Sequence, residues 1–170
     1  DDLVTKGTEE PYRLLTSRAE YRLLLRHDNA DLRLTEKGHD LGLIDDDRYA
    51  EFLAKKELIQ EDLDRLGEIT VHPTIAVNEY LAGLGQTDLN GGVKADVFLR
   101  RPRVTVEDVE RLTGQKLAGD RYVKEQVAID TKHAGYIKKQ EIQVARLRRQ
   151  EAKKIPKDID YDQIEGLATE

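Results

Sequence analysis

Residues 45–67 read DDDRYAEFLAKKELIQEDLDRLG, and this stretch decides the fold class. Asp45 to Asp47 put negative charge where the positive end of a helix dipole begins. Tyr49, Phe52, Leu53, Ile59, Leu63 and Leu66 then recur at helical spacing until Gly67 ends the run. The pattern predicts an amphipathic helix of about six turns. A second helical stretch starts after Gly119-Asp120 and reaches Ile155-Pro156. In it Ile137, Val144 and Leu147 share one face, while Lys138, Lys139, Arg146, Arg149 and Lys153 fall within an arc of about 100° on the other. Val127, Ile129 and Thr131 alternate as in a strand, and Gly135 could interrupt the segment. Helix is the preferred reading, because neither a hairpin partner nor a turn signal lies nearby.

The shorter segments follow the same logic. Ser17 and Glu20 have the spacing of a capping box at the start of a predicted helix Arg18–His27. On that helix Arg18, Arg22 and Arg26 would form a stripe beside Tyr21, Leu24 and Leu25, ended by Asp28, Asn29 and Asp31. Thr35 is expected to cap a short helix stopping at Gly42, and Thr74 to Leu84 reads as another. Gln86 to Gly92 reads as a loop and Val97–Leu99 as an apolar turn set off by Pro102. Thr105 and Asp108 form a second capping box on a helix that stops at Gly114. The expected fold class is therefore all-α: a multi-helix bundle with one long C-terminal amphipathic helix. Residues 16–118 would be a helical subdomain, 119–155 a long basic helix and 156–170 an irregular tail.

Composition narrows the function. The 170 residues are 36% charged and 5% aromatic, with mean hydropathy −0.67, which suits long solvated helices and disfavours aromatic stacking platforms. There is no Cys, so thiol chemistry and Cys zinc sites are excluded, and no apolar run is long enough to span a membrane. The chain starts at Asp1 and has no Met, so a fragment of a longer protein is expected. The net charge of −6 conceals a segment, residues 121–154, with 10 basic and 4 acidic residues between acidic flanks. Such a segment is either a solvated helix face or an anion-binding surface. Arginines on a rigid scaffold suit phosphate, because the planar guanidinium makes bidentate charge-assisted hydrogen bonds.

Self-sufficient catalytic constellations are missing. Gly83-Leu84-Gly85 begins like a dinucleotide loop, but Asp88 stands where the third glycine belongs, so a helix end is expected. His27, His39, His72 and His133 are scattered without metal-ligand spacing. Ser17, the only serine, has no histidine within helical reach, and carboxylate neighbours such as Glu61 and Asp62 read as a wet helix face.

Longer runs carry a resemblance. Asp1–Gly7 (DDLVTKG), Glu10–Arg13 (EPYR) and Thr16–Leu23 (TSRAEYRL) resemble the GidA/MnmG family. So do Leu25-Arg26, Asp28–Asp31, Arg33–Thr35, Gly38 and Gly42-Leu43. Towards the end Gly135–Ile137, Ile155-Pro156, Asp160-Tyr161, Ile164 and Gly166-Leu167 match as well, and the match is looser between residues 68 and 120. The resemblance implies a cytoplasmic, homodimeric flavoenzyme that modifies the wobble uridine of tRNA. With the GTPase MnmE, such enzymes add a carboxymethylaminomethyl or aminomethyl group using FAD, NADH and a folate-derived carbon. It also implies that residues 1–15 are the remnant of a preceding FAD-binding domain, with Asp2, Thr5 and Lys6 near FAD. The remainder would be the C-terminal helical region, contacting tRNA through Arg18, Arg22, Arg26, Lys138, Lys139, Arg146, Arg149 and Lys153. FAD itself is not expected on this chain, which lacks the Rossmann glycines. The family continues past this chain's end with a small helical subdomain, so MnmE docking is expected to be incomplete here. The competing reading is a helical protein–protein adaptor without a nucleic-acid role. That would require a sustained apolar heptad seam, and after Ile137 the heptads last only about two turns.

Overall fold

The computed structural model describes residues 21–154 together with Gly7, Glu9 and Pro11. Residues 12–20, which include Ser17, Arg18 and Glu20, the rest of the first eleven residues and the tail 155–170 lie outside the described residues. Among the described residues there are six helices and one two-stranded ribbon: α1 (Ala30–Asp40), α2 (Asp46–Glu68), β1 (Thr70–Val71), α3 (Ile75–Gly83), β2 (Val93–Lys94), α4 (Ala95–Leu99), α5 (Val106–Thr113) and α6 (Arg121–Glu151). The fold is predominantly helical, as the periodicity predicts.

Local chemistry explains most boundaries. The Asp45 carboxylate accepts the Arg48 amide at 2.8 Å and opens α2, and Asp120 does the same for Val123 at 2.9 Å at the start of α6. Thr105 and Asp108 complete a reciprocal capping box on α5, which Gly114 closes at φ +70°. Gly42, at φ +72°, closes α1 with a Schellman pair, Gly42 N–H to His39 O and Leu43 N–H to Gly38 O, both at 2.8 Å. α6 runs unbroken through Gly135 for 31 residues, about 46 Å. Its helical interior keeps Val127 and Thr131 buried on one side, so the alternation there is not a strand.

The core lies where α2, α3, α4 and α5 meet the first turns of α6. Leu66, Leu81, Ala95, Phe98, Leu99, Val104 and Val127 are wholly buried there. β1 and β2 pair antiparallel, Thr70 opposite Lys94 and Val71 opposite Val93, and Ala95 N–H donates to Ile69 O at 2.9 Å. The ribbon thereby hands the chain into α4. The buried residues of α6 are Val123, Gln126, Val127 and Thr131, so the helix is rooted by its first three turns and extends beyond the core.

Four local expectations need correction. Residues 21–29 form turns, not the end of a helix 18–27: Tyr21 sits at φ +51°, and the amides of Leu24 and Leu25 both donate to its carbonyl. Arg22 and Arg26 therefore do not share a helical face. α1 starts at Ala30, so Thr35 lies inside it; Asn29 precedes the helix, but its side chain bonds Leu24 O and Arg33 Nε instead of capping. Val97–Leu99 belongs to α4, a short helix whose apolar residues fill the core. Asp62 is not on a wet face. It is fully buried and accepts the amides of Ala118 at 2.7 Å and Gly119 at 3.0 Å, fastening α2 to the entrance of α6.

Candidate nucleic-acid interface

The projecting part of α6 has two sides. One is covered by the turn segment: Leu23 N–H donates to Gln140 Oε1 at 3.1 Å, and Tyr21, Leu24 and Leu25 line a cleft with Val144 and Leu147. Lys138, Lys139, Arg146 and Arg149 on α6 are exposed, as is Lys153, which lies past the helix end at Glu151 instead of on the helix as expected, and among the described residues none pairs with a carboxylate. Periodicity explains this division, because an apolar stripe that meets the turn leaves the charged arc opposite it to solvent.

Arg26 behaves differently. Its side chain is only 12% exposed; it donates to Asp28, to Leu23 O at 2.6 Å and to Asp130 Oδ1 at 2.7 Å. Asp130 also accepts from Gln126 Nε2, so the Arg26 cluster ties the turn to α6. Two carboxylates neutralise the guanidinium, leaving little of its charge for an external anion. Arg22 is exposed on the same turn. Arg26 and Lys138 line one cleft of about 560 Å³ with Asp130 and Ile137, whereas Lys139, Arg146, Arg149 and Lys153 do not line it. Arg18, Asp2, Thr5 and Lys6 lie outside the described residues.

Two further charged clusters brace the core. Tyr80 Oη donates to Asp108 Oδ2 at 2.7 Å, and Arg111 reaches Oδ1 at 2.9 Å. Burial opposes ionisation of Asp108, but donation from Tyr80, Arg111 and Thr105 outweighs it and holds the carboxyl at about 2. Burial, and then the neighbouring carboxylate, push Tyr80 up to about 12. Glu110 bridges Lys124 at 2.8 Å and accepts the Leu117 amide, joining α5 to α6. Burial works against its charge, yet those donors hold its pKa below the usual value. Both sets of carboxylates are saturated by intramolecular donors and are therefore structural. Sequence reading missed Asp62, Glu110 and Asp130 because each is one of many acidic residues, distinguished only by its distant partner.

The glycine pair Gly83 and Gly85 closes α3. The amides of Leu84, Gly85 and Gln86 donate back to carbonyls of residues 80–82, so they do not form a phosphate cradle. No helix of the described residues is long and apolar enough to cross a membrane.

A small helical domain with a long basic helix projecting from its core is the class these features define. The family profile described as "tRNA modifying enzyme MnmG/GidA C-terminal helical domain" matches residues 46–141. The chain belongs to the MnmG/GidA family. It is 98% identical over all 170 residues to the tRNA uridine 5-carboxymethylaminomethyl modification enzyme MnmG of Lactobacillus delbrueckii subsp. bulgaricus. It is 71% identical over 170 residues to the protein of the same name from Lactobacillus acidophilus. In each case it spans 27% of the relative's length. Among solved structures it is similar to Aquifex aeolicus GidA in the form II crystal, with TM-score 0.70 and 34% identity, over 99% of this chain and 26% of that one.

Proposed function

We propose that this chain is the tRNA-binding and partner-association region of an FAD-dependent enzyme that modifies the wobble uridine of tRNA. The observation that carries the reading is the solvent-facing basic side of α6, unpaired among the described residues, on a helical domain of this family. Lys138, Lys139, Arg146, Arg149 and Lys153 meet phosphates, with Arg22 and Arg18 adding charge from the neighbouring segment. Recognition is of backbone and shape, which suits folded RNA and requires no aromatic platform. In this reading FAD and NADH supply the redox chemistry elsewhere in a homodimeric, cytoplasmic enzyme. Asp2, Thr5 and Lys6 adjoin the flavin domain, and MnmE docks through the helical region.

The test is binding of bulk tRNA to the full 170-residue chain at several salt concentrations. Five phosphate contacts give a log–log salt slope of about −3.5 to −4.5. Binding that is absent, or insensitive to salt, removes the reading.

A further inference from the structure

We propose that the loop Arg100–Val104 is a second phosphate-backbone contact, continuous with the basic side of α6; this rests on the RNA-binding reading above. The first observation is backbone strain. Arg103 lies at φ +63°, a left-handed conformation that glycine or asparagine adopts more readily than arginine. Such an outlier persists only where its surroundings impose it. Here they do. Arg101 Nη1 donates to Thr87 O at 2.8 Å, Gln86 Nε2 to Pro102 O at 2.5 Å and Lys132 Nζ to Val104 O at 2.7 Å. Arg100 is occupied by Asp96 at 2.9 Å. Arg100 and Arg103 are both exposed, but of the three arginines only Arg103, among the described residues, makes no hydrogen bond or ion pair.

The second observation is position. Lys132, which holds the loop, begins a row on α6 at intervals of seven residues, Lys132, Lys139 and Arg146, with Lys153 following just past the end of the helix. Seven residues advance an α-helix by about 10.5 Å and rotate it by only about 20° from register, so the row runs about 21 Å along the helix from Lys132 to Arg146. The strained loop thus stands at the foot of a line of cations. A line of regularly spaced positive charge fits a nucleic-acid backbone lying alongside the helix, and a guanidinium held on a braced loop can grip a phosphate bidentately. The partner class is therefore folded RNA. An acidic protein surface is the competing occupant.

The experiment compares Arg103→Gly, Lys139→Ala and Arg146→Ala in the full chain, measuring bulk tRNA affinity against salt together with Tm. Glycine relieves the positive φ, so Arg103→Gly keeps or raises Tm. Its tRNA affinity falls several-fold at every salt concentration that permits binding, and the salt slope flattens by about one. The loop proposal is overturned if Arg103→Gly binds like the parent chain while Lys139→Ala or Arg146→Ala binds more weakly. A drop in Tm also overturns it, because the arginine would then be structural. If all three variants retain the parent affinity and slope, the RNA-binding reading itself falls, and an acidic protein partner takes its place.

Discussion

Replacing Asp62 with alanine removes the fastener between α2 and the root of α6. The carboxylate is fully buried and accepts two amides, Ala118 at 2.7 Å and Gly119 at 3.0 Å, just ahead of the Asp120 cap. An orphaned buried donor costs about 1–3 kcal/mol, so two cost about 2–6 kcal/mol, of which the relieved burial of the charge returns a part. A net loss of about 3 kcal/mol, at roughly 2–4 °C per kcal/mol for a domain of this size, lowers Tm by about 6–12 °C. Asp62→Asn keeps the shape and one acceptor but turns an NH₂ towards the second amide, so about half of that loss is expected. Thermal unfolding followed by far-UV circular dichroism gives both values. Hydrogen exchange at Ala118 and Gly119 supplies the local readout, since both amides should exchange faster in either variant. Glu61→Ala, at the exposed neighbouring position, is the control and stays within about 0.5 kcal/mol of the parent. An Asp62→Ala chain that melts within about 2 °C of the parent would refute this account of how α6 is rooted.

Other outcomes follow from the same geometry. Gly119→Ala would place a Cβ 2.6 Å from Val123 Cβ and 2.8 Å from Asp62 Oδ2, so it should destabilise by about 1–3 kcal/mol, measurable by urea unfolding. Arg26→Ala should lower Tm because it leaves Asp28 and Asp130 without their cation, whereas Arg22→Ala should leave Tm unchanged and flatten the tRNA salt slope. Asp108 has its folded pKa lowered from 3.8 to about 2, so its stabilising effect is present above about pH 4 and lost as pH falls towards about 2. Lowering from 3.8 to about 2 corresponds to about 2 kcal/mol, and a stability-versus-pH curve of Asp108→Asn should lack that acid limb.

The helical class, the long α2 and α6, the acidic start of α2 and the Thr105–Asp108 capping box are legible in the sequence, because periodicity and capping depend on neighbours within a few residues. The sequence also marked the basic arc of α6, since charges at helical spacing must share a face wherever the helix stands. The two-residue strands are too short to show a period, and the five residues of α4 are too few to distinguish a helix from an apolar turn. The arginine stripe failed as a helical surface because Tyr21 turns the backbone left-handed and Arg26 finds Asp130, 104 residues away. Asp62 looks like any other acidic residue on an exposed helix until residues 118 and 119 fold against it. Tertiary structure alone decided which charges are consumed inside the fold and which remain for a partner. A charge's availability depends on burial and on partners distant in sequence, and neither is encoded in its immediate neighbours.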